Sequence, residues 1–263
     1  MDQQNPQWYI GRRYVYSRVK PDHIKAPYFR YNDGIKLPTP GVKPKFYPPS
    51  YKRIQLSESL DPRLKQVGLL QCLETRRSQR TFGPHVINLD ELASILSPSL
   101  GKSGTFYGAD PQGNEVKAVG FDGTSYPAPG GLYSCTTYVI YRETEGGPHV
   151  GYYFDQVKRQ LVQINSNVDL ISTLVSGAEW AAKASAIVVI CAWYGRIAEK
   201  YGAHSYRKSF IEAGHIGQNV ALCATALGLK QVPLAGFDFQ RLAAQLDLLE
   251  TEETPIYSVV MGK

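Results

Sequence analysis

The sequence predicts an α+β domain, and three observations support this. Apolar residues recur at helical spacing in some stretches, and β-branched and aromatic runs read as strands in others. The two kinds of element do not follow the regular β-α-β alternation that a parallel sheet requires. At 263 residues, 43% apolar and 20% charged, the chain can bury a sizeable core and has the composition of an ordinary globular protein.

Taken in order, residues 1–58 read as an arm and residues 59–263 as the folded domain. Residues 1–53 hold eleven Lys/Arg against three Asp/Glu, whereas the rest of the chain holds eighteen against twenty. The overall charge of +6 therefore belongs to the arm and gives no argument for a nucleic-acid-binding domain. The same stretch carries eight of the seventeen prolines and seven tyrosines, the composition of an extended segment that wraps its own domain or docks a partner.

"LDPRLKQVGLLQCLET" places apolar residues at 60, 64, 67, 70 and 73, one face of a helix. "INLDELASILSPSLG" opens with a capping box, Asn88 followed by Glu91, and continues at helical spacing. Residues 101–131 are glycine-rich and read as a loop or flap. "YSCTTYVIYR", "HVGYYFD" and "QLVQI" predict a three-stranded meander, and "ASAIVVICAWYG" a buried central strand. Ser209 to Gly228 reads as a long helix whose small residues, Ala213, Gly214, Gly217, Ala221 and Ala224, let another backbone approach closely. "TPIYSVVMGK" closes the chain as a strand. No internal repeat is visible.

Several functions are disfavoured. Four dispersed cysteines form no CxxC pair, and five histidines form no ligand spacing, so no metal site is expected. No apolar run is long enough to cross a bilayer and the N-terminus lacks a signal-peptide core, so a cytoplasmic protein without a membrane role is expected.

"ETRRSQRTFG" concentrates Arg76, Arg77 and Arg80 with Ser78 directly after a predicted helix. Guanidinium forks plus a hydroxyl suit a phosphate, although such a run read alone is more often a solvated helix end. Four further segments follow it: "YPAPGGLYSCTTYVI", "VGYYFDQVKRQL", "EKYGAHSYRKSFIEAGHIGQNVALCATALGL" and "PLAGFD". With all five in this order, the chain from about Leu60 onward resembles the flavin-dependent nitroreductase superfamily. Within it the chain is similar to the SagB-type dehydrogenases, which oxidise azolines in thiazole- and oxazole-containing peptides.

The resemblance implies a nitroreductase-like fold, a central, mostly antiparallel sheet flanked by helices, in an obligate homodimer with FMN at the interface. Arg76, Arg77, Ser78 and Arg80 would grip the FMN phosphate, with Lys263 as a further basic residue after the last strand. Ala128, Pro129, Gly130 and Gly131 would lie along the isoalloxazine ring; the family more often has a serine where Ala128 or Pro129 stands. Leu234, Ala235 and Gly236 would face the N5 edge, and Gln218 is the polar residue of the long helix placed nearest the flavin.

Lys200 and Tyr201 match the Lys-Tyr pair that removes the substrate proton. A base is needed because an azoline loses a proton as well as a hydride when it becomes aromatic, and a lysine serves only in its neutral form. The expected activity is FMN-dependent conversion of peptide thiazolines or oxazolines to thiazoles or oxazoles on a ribosomally made peptide, in contact with a cyclodehydratase complex. Alternatives are an NAD(P)H-dependent nitro- or quinone reductase, an oxidase of a carrier-bound azoline in nonribosomal synthesis, and a flavin-bound scaffold subunit. On residues alone, Lys200 is equally a surface lysine, and either glycine loop an ordinary turn.

Overall fold

A computed structural model describes residues 41–109, 115–249 and 251–263. The first forty residues of the predicted arm lie outside the described residues. Seven strands form the central sheet: β1 (Arg53–Gln55), β4 (Cys135–Tyr141), β5 (Val150–Asp155), β6 (Gln160–Asn165), β7 (Ala186–Trp193), β8 (Lys230–Leu234) and β9 (Glu253–Gly262). Their order is β1-β6-β5-β4-β7-β9-β8, and each neighbouring pair is antiparallel.

The predicted meander is β4-β5-β6, and the apolar run at 184–195 is β7, buried between β4 and β9. Because strand side chains alternate, β7 feeds both faces of the sheet. Val188, Ile190 and Ala192 enter one core, and Ile187, Val189 and Cys191 the other.

Helices α3 (Leu89–Leu100) and α6 (Ser205–Ala226) cover the first face. Leu92, Ile95 and Leu96 of α3 meet Ala213, Ile216, Val220 and Ala224 of α6 against Val139, Val259 and Met261. The capping box of α3 is formed: Asn88 Oδ1 accepts from Glu91 N at 2.8 Å, and Glu91 Oε2 from Asn88 N at 3.0 Å. The second face is covered by α7 (Phe239–Gln245), the short α4 (Leu170–Thr173) and the chain around Tyr47 and Tyr51.

The structure differs from the sequence reading in four places. The helix expected over 60–73 is two short ones, α1 (Arg63–Gln66) and α2 (Leu69–Thr75). Val67 and Gly68 are extended between them, and of the α2 residues only Cys72 is buried, so Leu69, Leu70 and Leu73 face outward. The glycine-rich passage is mostly an antiparallel ribbon, β2 (Lys102–Ala109) with β3 (Glu115–Thr124), separate from the main sheet. The long helix begins four residues earlier than its small-residue pattern indicated. The arm supplies β1, which pairs with β6 through Arg53, Ile54 and Gln55.

Candidate active site

The loop over 126–131 is held from several sides. Tyr126 is fully buried, and its ring meets that of Tyr133 edge-on. From α6, Asn219 Nδ2 donates to Ser125 O at 3.2 Å, and His215 Nδ1 lies 3.2 Å from Pro127 O. At the loop's exit, the buried Glu212 carboxylate accepts from Ser134 N at 3.0 Å, Ser134 Oγ at 2.8 Å and Cys135 N at 2.9 Å. Burial pushes the Glu212 carboxyl above its ordinary value, and these three hydrogen bonds oppose that push. The polar residues of α6 thus include fasteners for this loop.

Gly130 and Gly131 have φ of 63° and 66°, the left-handed region where a Cβ is unfavourable. At Gly130 the close approach matters as much as the dihedral. A Cβ built there would lie 3.0 Å from Lys200 Nζ and in collision with the Tyr201 hydroxyl. Ala128 and Pro129 lead into this turn, where Gly131 N donates to Ala128 O at 3.1 Å.

Lys200 and Tyr201 end helix α5 (Gly195–Tyr201). Tyr201 is buried and packs with Ile197 and with Leu132, the residue after the glycine pair, so Gly130, Lys200 and Tyr201 share one locale. The Lys200 Nζ is 5.2 Å from the Tyr201 ring centroid, and the Lys208 Nζ is 4.3 Å from it. Sequence reasoning missed Lys208, although its spacing of eight residues from Lys200 was readable.

The arginine run lies along the sheet edge. Ser78 makes a parallel bridge to Gln231 of β8, Gln79 N donates to Gln231 O at 3.0 Å, and Gln231 Nε2 reaches Arg77 O at 3.4 Å. Arg77, Ser78 and Arg80 are exposed, and Arg76 is half-buried. The Arg80 guanidinium carbon lies 5.7 Å from the Trp180 ring centroid. No carboxylate among the described residues pairs with Arg76, Arg77 or Arg80.

Lys263 comes to the same neighbourhood, since its carbonyl accepts from Gly83 N at 2.6 Å. Its Nζ, however, is paired with Glu91 at 2.8 Å. Leu234 ends β8 three residues beyond Gln231, roughly 10 Å along a strand. Gly236 follows, its carbonyl accepting from Val175 N at 3.2 Å, and Ala235 between them is exposed. Gln218 is exposed on α6, on the face that also presents Ile211, Gly214 and His215.

The structure thus groups Gly130 with Lys200 and Tyr201, and groups the arginines with Gln231 on β8. Leu234, Ala235 and Gly236 continue from the second group.

The Nitroreductase family model matches residues 73–263. The chain belongs to the nitroreductase family. A nitroreductase-type protein of Methanocaldococcus jannaschii is 28% identical over 204 residues, which is 77% of this chain and 94% of that protein. Among solved structures, a nitroreductase-type protein of Ralstonia eutropha has a TM-score of 0.64 at 23% identity, over 87% of this chain and 94% of the other. A chain of the Escherichia coli microcin synthetase McbBCD complex, with truncated pro-MccB17 bound, has a TM-score of 0.55 at 18% identity, over 84% and 78% respectively. At these identities the structural likenesses speak to the nitroreductase fold, the antiparallel sheet between two helical layers seen here. No helix among the described residues is long and apolar enough to cross a membrane. No metal-binding group of His, Cys, Asp or Glu occurs among them.

The donor set of this nitroreductase-family protein fits the phosphate end of a flavin nucleotide. Three guanidinium groups with no carboxylate partner among the described residues, and a hydroxyl, suit a phosphate dianion. At Gly130 the place of a Cβ is already taken up by the Tyr201 hydroxyl and Lys200 Nζ, so the glycine is needed for the close approach of that pair to the loop.

Proposed function

We propose that the protein is an FMN-dependent dehydrogenase that converts thiazolines or oxazolines in a ribosomally made peptide to thiazoles or oxazoles. The observation that carries this reading is the apposition of Lys200 and Tyr201 to Gly130, which puts a basic amine and a phenol beside the loop assigned to the flavin ring. Aromatising an azoline removes a proton from Cα and a hydride from Cβ; FMN, when bound, is the two-electron acceptor for the hydride.

This chain's residues supply the rest. Lys200 Nζ takes the Cα proton. The Tyr201 hydroxyl donates to the ring heteroatom or the adjacent carbonyl as negative charge builds there. Packing against Leu132 and Ile197 holds the phenol in place, so little is lost to reorganisation during the step. Arg76, Arg77, Ser78 and Arg80 hold the phosphate, and Leu234, Ala235 and Gly236 offer backbone toward the N5 edge. Lys263 serves by holding Glu91 and the Gly83 turn beside the clamp.

We further propose a homodimer in the cytoplasm. The outward-facing Leu69, Leu70 and Leu73 of α2, with Phe210, Ile211 and Gln218 of α6, form its interface, and Gln218 reaches the flavin there. A cyclodehydratase supplies the azoline.

The deciding experiment purifies the protein, records flavin absorbance, and incubates it with an azoline peptide. The expected result is a yellow protein and a mass loss of two hydrogens, abolished in Lys200→Ala, which retains FMN. Removing a positioned base costs about 10²–10⁴-fold in rate. A second reading, an NAD(P)H-dependent nitro- or quinone reductase, is favoured by the Methanocaldococcus relative. Turnover of NADPH with a nitroaromatic, without azoline oxidation, would establish that reading instead.

A further inference from the structure

The chain from Gly41 to Lys45 belongs to none of the five segments that carry the family resemblance, yet it is tied both to the glycine loop and to helix α5, which bears Lys200 and Tyr201. Gly41 N donates to Gly131 O at 2.9 Å. Lys43 O accepts from the Arg196 guanidinium at 2.6 Å, and the same guanidinium donates to Tyr133 O at 3.3 Å. Arg196 lies on α5 four residues before Lys200, on the same side of that helix. Stacking on the Trp193 ring, 4.2 Å from its guanidinium carbon, holds the side chain flat.

The far end of the segment is anchored in the sheet. Lys45 N donates to the Tyr153 hydroxyl at 3.0 Å, and Lys45 Nζ donates to the Tyr138 hydroxyl at 2.8 Å and pairs with Glu253. Glu253 is fully buried and also accepts from Thr136 and from Tyr138. Removing Lys45 would leave that carboxylate short of its countercharge inside the protein, so the anchor resists release.

These contacts close a circuit. The glycine loop touches Lys200 and Tyr201 through Gly130, meets the segment through Gly131, and is gripped just beyond by Arg196 at Tyr133. Tyr133 itself sits at a φ of 46°, a conformation that an unconstrained tyrosine rarely keeps. One side chain thus fixes a strained backbone, the adjoining segment and the helix bearing the base.

We propose that Arg196, clasped to residues 41–45 and anchored through Lys45, is a positioning residue that sets the glycine loop at a fixed distance from Lys200 and Tyr201. Naming those two as the residues positioned rests on the azoline reading; the clasp does not.

The test is hydrogen–deuterium exchange on the full chain with FMN added, comparing wild type with Arg196→Gln, Arg196→Lys and Lys45→Met. In Arg196→Gln, exchange over 126–133 and over 195–201 rises together by about tenfold or more, the scale of two lost hydrogen bonds. Protection of β4 and β7 stays unchanged. Arg196→Lys, which keeps one donor to a carbonyl, recovers part of the protection in both segments. Lys45→Met loosens the same pair of segments. Should it fail to fold, Arg196→Gln still decides, because its Lys45–Glu253 anchor is intact.

Unchanged loop exchange in Arg196→Gln overturns the clasp, as does a rise spread across the whole sheet. If Arg196→Gln shows the paired rise while the wild type leaves azoline peptides unoxidised, the clasp stands and the reaction assigned to Lys200 falls.

Discussion

Gly130 is the residue at which the glycine loop meets Lys200 and Tyr201. Its φ of 63° is costly for any residue with a Cβ, about 1–2 kcal/mol, and the added methyl would strike the Tyr201 hydroxyl. Gly130→Ala is therefore expected to fold with a lowered melting temperature and to lose azoline oxidation more severely than its stability loss explains. Thermal denaturation beside single-turnover kinetics checks this; a variant with full activity would show that the loop does not set the position of Tyr201. The sequence displays Gly130 and Gly131 plainly, but the contact of Gly130 with Lys200 and Tyr201 joins distant segments and is visible only in the fold. Arg196 and Lys45 are invisible in the sequence, because their partners are backbone carbonyls and a glutamate more than two hundred residues away. No periodicity records such contacts.

At the scale of elements, Glu91 couples the start of α3 to two distant pieces of chain. Its carboxylate closes the capping box, pairs with Lys263 at 2.8 Å and with Arg63 at 3.0 Å. Burial pushes its carboxyl up, but Lys263, the Asn88 N–H and Arg63 together outweigh this and hold it below the ordinary 4.5. A folded-state value below the unfolded one means the ionised form favours folding. The contribution is complete above pH 4.5 and is lost as the pH falls through the lowered value. Glu91→Gln should cost about 1–2 kcal/mol at neutral pH, less than a fully buried pair because both cations are partly exposed. Urea titrations at pH 7 and pH 3 provide the check, and the difference between wild type and variant should narrow at the lower pH. The capping box was legible in the sequence because its two residues are three apart. The split between α1 and α2 was not, since the apolar stripe over 60–73 fits one helix. Extended backbone at Val67 and Gly68 overrides it, leaving three leucines of α2 outside the core.

For the whole molecule, the apolar surface left on α2 and α6 is what the proposed dimer must cover. Ile211 is half exposed and Phe210 only somewhat less, both on the helix that carries Gln218. Ile211→Glu is expected to shift the protein from dimer to monomer in light scattering and to lower its FMN content in proportion. A monomer that keeps its full flavin would remove Gln218 and the interface from the cofactor site. The α+β class, the meander and both covering helices were readable because each depends on the periodicity of a single stretch. The sheet order was not, since β7 lies between β4 and β9 across long sequence separations.

β8 is the last strand of the sheet, and Ser78 and Gln79 lie along its outer side, where Gln79 takes up the carbonyl of Gln231. An uncovered strand edge is a template for pairing with another chain. The stretch assigned to phosphate binding is thus also the guard on the sheet's open border. On the proposed reading, substitutions in this stretch are expected to change cofactor content and resistance to aggregation together.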